Sequence, residues 1–155
     1  MRRRLIVAAV LAGCAPLPPT APAREPPIAI VAAERGPDGV RLVAIDERGD
    51  RGRAVVAPAA ALARDTHPVV SPDRRWLVFA SSRERPFDQT SLWIAPLGGE
   101  AAPRRLTAGP AIDAHPSWRP DGSAIVFSST RGGGGLHLWE LAVADGAPGA
   151  LRQLT

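Results

Sequence analysis

Apolar residues in this chain come in short bursts separated by clusters of glycine, proline and aspartate, and no burst is long enough to span a bilayer. The clearest is Ala124 to Ser129, A-I-V-F-S-S, which follows Pro120-Asp121-Gly122 and is apolar on both faces. Proline fixes φ and glycine is free to take φ > 0, so the triplet predicts a turn and the run after it a strand packed on both sides. Leu136 to Leu141, L-H-L-W-E-L, predicts a second strand, Asp145-Gly146 the next turn, and Leu151 to Thr155 a third strand. With His115 to Trp118 ahead of the Pro-Asp turn, the unit holds about four short strands, the content of one β-propeller blade.

The unit is written more than once. Without a gap, Asp65, His67, Pro68, Pro72, Asp73, Val78, Phe79, Ser81 and Arg83 fall on Asp113, His115, Pro116, Pro120, Asp121, Val126, Phe127, Ser129 and Arg131, forty-eight positions later. Both copies also close alike, with R-R-L-T at Arg104 to Thr107 and R-Q-L-T at Arg152 to Thr155. A period of this size predicts stacked supersecondary units. A weaker unit precedes them: at twice the period, Ile28 to Gly36 falls on Ala124 to Gly132, Val40 to Ile45 on Leu136 to Leu141, and Arg35 on Arg131. It lacks the first strand and the aromatic residues. Ala57 to Arg64 reads as the connector to the next unit.

The expectation is therefore an all-β fold, an incomplete β-propeller of about three four-stranded antiparallel blades, the first truncated, at about 28–61, 62–107 and 108–155. Residues 28–155 hold under three periods, whereas closed propellers have about four to eight blades. Missing blades or self-association would be needed to cover the blade edges.

The phased set D-x-x-P-x-W-x-P-D-G, a hydrophobic strand, S-x-R, L-W, D-G and R-x-L-T resembles the WD-like repeat of TolB-type β-propellers, over about residues 62–155. The second copy matches almost throughout; the first has Val70 for Trp118 and Arg74 for Gly122. The resemblance implies a fold, which hosts many unrelated activities. It assigns Asp65, Pro72, Asp73, Asp113, Pro120, Asp121 and Gly122 to the repeat turns, and Phe79, Trp93, Phe127 and Trp139 to the core between blades.

At the amino end, Arg2 to Arg4 precede the apolar run Leu5 to Ala12 and then Gly13-Cys14, the plan of an export signal over residues 1–13. Leu11-Ala12-Gly13-Cys14 resembles the bacterial lipobox, which implies lipidation of Cys14 and an anchor in the cell envelope, with Ala15 compatible with the periplasmic face of the outer membrane. Residues 14–27 form the lipidated cysteine and a Pro-rich linker; six of the thirteen residues from Ala15 to Pro27 are proline, the composition of a semi-rigid spacer. Cys14 is the sole cysteine, so an intramolecular disulfide is impossible.

Removing the signal changes the charge picture. The chain carries nineteen arginines, no lysine and fifteen acids, a formal +4; without Arg2, Arg3 and Arg4 it is sixteen against fifteen, or +1. The remaining arginines are scattered among Asp and Glu and make no basic stripe, which argues against nucleic acid as a partner.

Catalytic and cofactor motifs are missing: there is no G-x-S-x-G, no H-E-x-x-H, no paired-cysteine metal motif and no P-loop. Asp65 with His67 and Asp113 with His115 offer four potential metal ligands, but the repetition follows from the repeated unit. The expected roles are structural, with the aspartates accepting backbone N–H bonds at the turns and each His-Pro leading an extended strand. No cofactor is expected. The loop containing Phe87, Asp88 and Gln89 replaces Gly132 to Gly135 of the other copy and is where a partner could touch. Together these features predict a non-catalytic, lipid-anchored envelope scaffold that binds other proteins. The alternatives are the propeller part of a prolyl-oligopeptidase-like hydrolase and a carbohydrate- or small-ligand-binding propeller.

Overall fold

The computed structural model describes residues 30–57, 63–86, 88–98 and 102–155. The signal segment, Cys14, the Pro-rich linker, most of the Ala57–Arg64 connector and Phe87 lie outside them. The described residues form eleven strands and no helix. Each of three antiparallel meanders is a separate sheet. The first comprises β1 (Ile30–Gly36), β2 (Gly39–Ile45) and β3 (Arg51–Ala54). The second comprises β4 (Asp65–Val70), β5 (Trp76–Ser81), β6 (Ser91–Pro96) and β7 (Arg104–Arg105). The third comprises β8 (Asp113–Trp118), β9 (Ala124–Ser129), β10 (His137–Ala144) and β11 (Ala147–Gln153).

The forty-eight-residue offset carries into the pairing. Asp65 lies opposite Ser81 and Val70 opposite Leu77, as Asp113 lies opposite Ser129 and Trp118 opposite Ile125. Phe79 lies opposite Trp93 as Phe127 lies opposite Trp139. The two alternating faces of β5 serve two cores. Leu77 and Phe79 pack with Trp93 against Leu42, Ala44, Val55 and Val56 of the first sheet. Val78 and Ala80 pack with Leu92, Ile94 and Leu106 against Ile125, Phe127, Leu141 and Val143 of the third. This is why β5 is apolar on both sides: it is covered on both sides.

Three details differ from the sequence-based expectation. The outer strand of the third sheet begins at Ala147, four residues before Leu151, because Asp145 (φ 46°) and Gly146 (φ 75°) make a two-residue turn that returns the chain at once. The first sheet is slipped by one residue in β1: the repeat places Val31 on Phe127, which faces the preceding sheet, yet Val31 lies opposite Ala44 and packs toward the second sheet. One residue of slip exchanges the two faces of a strand, and the weak aromatic-free pattern there did not fix the register. The outward face of the third sheet, finally, is open. Leu92 and Leu106 are fully or nearly buried at 0% and 7% exposure, while their counterparts in the third sheet, Leu138 and Leu154, are at 44% and 40%. Ile94, opposite Val78, is buried, whereas its counterpart Glu140, opposite Val126, is a carboxylate held by Arg119 and Arg152.

The Pro-Asp turns take the same shape with different residues. Gly122 has φ 72° and Arg74, its counterpart, φ 59°. Alanine at 122 would meet no atom closer than the Pro72 Cδ at 3.9 Å, so Gly122→Ala isolates the cost of left-handed backbone. It is expected to lower stability by about 1–2 kcal/mol, measured by urea denaturation; an unchanged midpoint would mean the turn readily adopts another conformation.

Candidate functional site

The residues singled out by the repeat are used internally. Asp65 and Asp113 are not at turns: each is the first residue of an inner strand, 2% and 1% exposed. Among the described residues, their carboxylates accept from side chains and not from backbone N–H groups. Asp65 Oδ1 accepts from the Ser81 hydroxyl at 2.6 Å and from Arg83 Nε at 3.0 Å, and Oδ2 accepts from Arg83 Nη2 at 2.6 Å. Asp113 accepts in the same way from Ser129 and from both Nε and Nη2 of Arg131. Two parallel N–H···O bonds make each a bidentate pair, which fixes the guanidinium plane. That plane lies near an aromatic ring, Arg83 5.6 Å from the centroid of Phe79 and Arg131 5.7 Å from those of Phe127 and Trp139. Asp, Phe, Ser and Arg therefore repeat together because they form one clamp at the same end of the second and third sheets. Arg35, aligned on Arg131, is exposed, and among the described residues the first sheet has no strand corresponding to β4 or β8 to carry such an aspartate.

Pro72-Asp73 and Pro120-Asp121 are at the turns. Asp73 Oδ1 accepts from the Ser71 hydroxyl and the Arg75 N–H; Asp121 Oδ1 accepts from the Ser123 hydroxyl and N–H. The hydroxyl bonds, seconded by the backbone ones, hold both carboxyls below the usual aspartate range. Phe79 and Phe127 are 0% and 1% exposed and Trp93 is 5%, whereas Trp139 is only partly buried, next to the open loop Gly132 to Gly135.

His67 and His115 do not lead extended strands. Each has φ 51° at a bulge between the first and second strands of its sheet, and the two exposed rings meet, 4.2 Å between centroids and tilted by 54°. Partial burial, then the neighbouring His115, keeps His67 below the ordinary histidine range. The four-ligand constellation is thus divided: the aspartates are consumed by arginines and the histidines face each other. No group of three or more His, Cys, Asp or Glu side chains suited to a metal occurs among the described residues.

These directions give an acid profile. His67 favours its neutral form when folded, so stability is full above about pH 6.5 and declines as pH falls through that region. Asp73 and Asp121, with lowered folded values, contribute stability above about pH 4 that is lost as pH falls further. Melting temperature is expected to drop in two stages on acidification, with His67→Asn flattening the upper stage and Asp121→Asn the lower.

The two ends of the sheets offer different clefts. At the end carrying the Pro-Asp and Asp145-Gly146 turns, Trp76 and Trp118 face a cavity of about 200 Å³ between the second and third sheets, rimmed by Asp73, Asp121 and Asp145. Arg75 and Arg104 already lie 5.8 and 5.9 Å from the Trp76 centroid, and Arg75 pairs with Asp145 at 3.2 Å. At the opposite end a cavity of about 330 Å³ lies under the Gly36–Gly39 hairpin beside Asp65 and Arg83. The expected contact loop is at this end: Arg85 donates to Ser91 and to Gln89, and Asp88 is exposed.

Stacked four-stranded meanders that share cores face to face are blades of a β-propeller. Their structural and sequence relatives make the type specific. The chain superposes on TolB from Agrobacterium tumefaciens with a TM-score of 0.62 at 20% identity, covering 79% of this chain and 43% of that one. For TolB from Acinetobacter baumannii the values are 0.62, 15%, 81% and 29%. A puromycin-hydrolysing peptidase from Mycobacterium tuberculosis shares the fold at a TM-score of 0.55 and 20% identity, over 81% of this chain and 22% of the peptidase. In sequence, 45 residues are 42% identical to the Tol-Pal system protein TolB of Bordetella pertussis, 29% of this chain and 10% of that protein. No family model matches the chain. The described residues are blades of a TolB-type β-propeller.

Proposed function

We propose that this chain is a non-catalytic, protein-binding β-propeller segment of the bacterial cell envelope, held on a membrane through lipid on Cys14. The observation that carries the reading is the use of the repeat-locked residues: aspartates, serines, arginines and phenylalanines of the blades are spent on clamps and cores. What differs between blades is the loop after Arg83 against that after Arg131, the place where repeat proteins bind. The TolB relatives are named for the Tol-Pal system, so the Pal protein of the same cell is the first partner to test. Saturable binding measured by calorimetry, weakened when residues 84–90 are replaced by the glycine loop 132–135, would support the scaffold reading; binding indifferent to that exchange would reject it. Lipidation has its own test: labelled palmitate should enter the wild-type chain in cells and not Cys14→Ser, with the variant released from membranes.

A second reading follows from the peptidase neighbour, in which these blades accompany a hydrolase domain. A fluorophosphonate probe applied to the protein in its native cell would label such a chain and would leave a scaffold unmodified.

A further inference from the structure

We propose that His67 and His115 form a two-imidazole chelate for a borderline divalent transition-metal ion, of the zinc, nickel or copper kind, joining the inner strands of the second and third sheets. The rings come from different sheets and stand 4.2 Å apart between centroids, with their planes tilted by 54° instead of stacked flat. Both are exposed, and among the described residues neither makes a hydrogen bond, so their ring nitrogens are free to coordinate.

The backbone points the same way. Both histidines sit in the left-handed region at the same bulge, each followed by proline. That conformation is costly for a non-glycine residue, and it occurs in both blades where the two rings meet. The nearby carboxylates are unavailable, because Asp65 and Asp113 are saturated by serine and arginine. What remains is a nitrogen donor set completed by water or by a donor from outside, which suits imidazole-binding metals and not calcium, whose ligands are oxygens. An ion held by β4 and β8 together would cross-link adjacent blades and would stabilise only the folded form.

The test uses the full chain with Cys14→Ser, so that a thiolate does not compete for metal. Nickel or zinc is titrated by calorimetry and by melting temperature against the parent, His67→Asn, His115→Asn and His137→Asn. Asparagine tolerates left-handed backbone, so these changes remove the imidazole while keeping the bulge. A single site per chain is expected in the parent and in His137→Asn, with a rise in melting temperature, at least tenfold weaker binding in either of the other variants, and no response to calcium. Absence of binding in the parent, or binding in His67→Asn or His115→Asn as tight as in the parent, overturns the proposal. If either variant fails to fold, copper bound to the parent decides: an electron paramagnetic resonance spectrum lacking coupling to two imidazole nitrogens overturns it equally.

Discussion

Asp65→Ala is expected to destabilise the fold by about 3–5 kcal/mol, a large share of the total for a domain of this size. Removing the carboxylate leaves the Arg83 guanidinium, 8% exposed in its side chain, without its charge partner, and frees the Ser81 hydroxyl as well. The remaining bond from Arg83 to the Ala57 carbonyl at 2.8 Å does not replace a carboxylate. Because the cost is that of an isolated buried charge, removing the charge too should recover part of it. Asp65→Ala with Arg83→Met is therefore expected to be more stable than Asp65→Ala alone. Chemical denaturation of the three proteins checks this, and a loss below about 1 kcal/mol in the single variant would show that the clamp is a by-product of folding.

Phe127→Ala is expected to cost about 3–5 kcal/mol, since its side chain is 1% exposed and lies between Val78, Ala80, Leu92 and Ile94 of one sheet and Ile125 and Leu141 of its own. The loss is specific to stacking. Leu138→Ala, at the repeat position of the buried Leu92 but 44% exposed, is expected to change stability by no more than about 0.5 kcal/mol, whereas Leu92→Ala should cost about 2–5 kcal/mol. Equal effects at 92 and 138 would mean that the open face of the third sheet is covered in solution.

The clamp shows how a repeated sequence can be read correctly as a repeat and wrongly in its parts. Asp65 and Asp113 stand near Pro-Asp turns in the sequence and share their residue type with true turn aspartates, so a turn role was the natural expectation. Their partners are eighteen residues away, across a strand and a loop. Such a pairing is set by the register between strands, and short-range turn chemistry carries no information about it. The histidines followed the same course: proline after each predicted extended backbone, yet the bulge turned both into the left-handed region and toward each other.

The sequence alone determined the all-β class, the forty-eight-residue module, the turn at Pro120-Asp121-Gly122 and the aromatic residues that fill the cores, because turn chemistry and apolar runs act within a few residues of one another. Only the tertiary structure decided which face each strand presents, as at Val31, and which of two equivalent leucines is buried, as at Leu92 and Leu138. It also decided that two aspartates serve arginines while two histidines meet. Each of these depends on what the neighbouring sheet brings to the contact, and a strand's own residues fix its alternation without fixing what lies opposite.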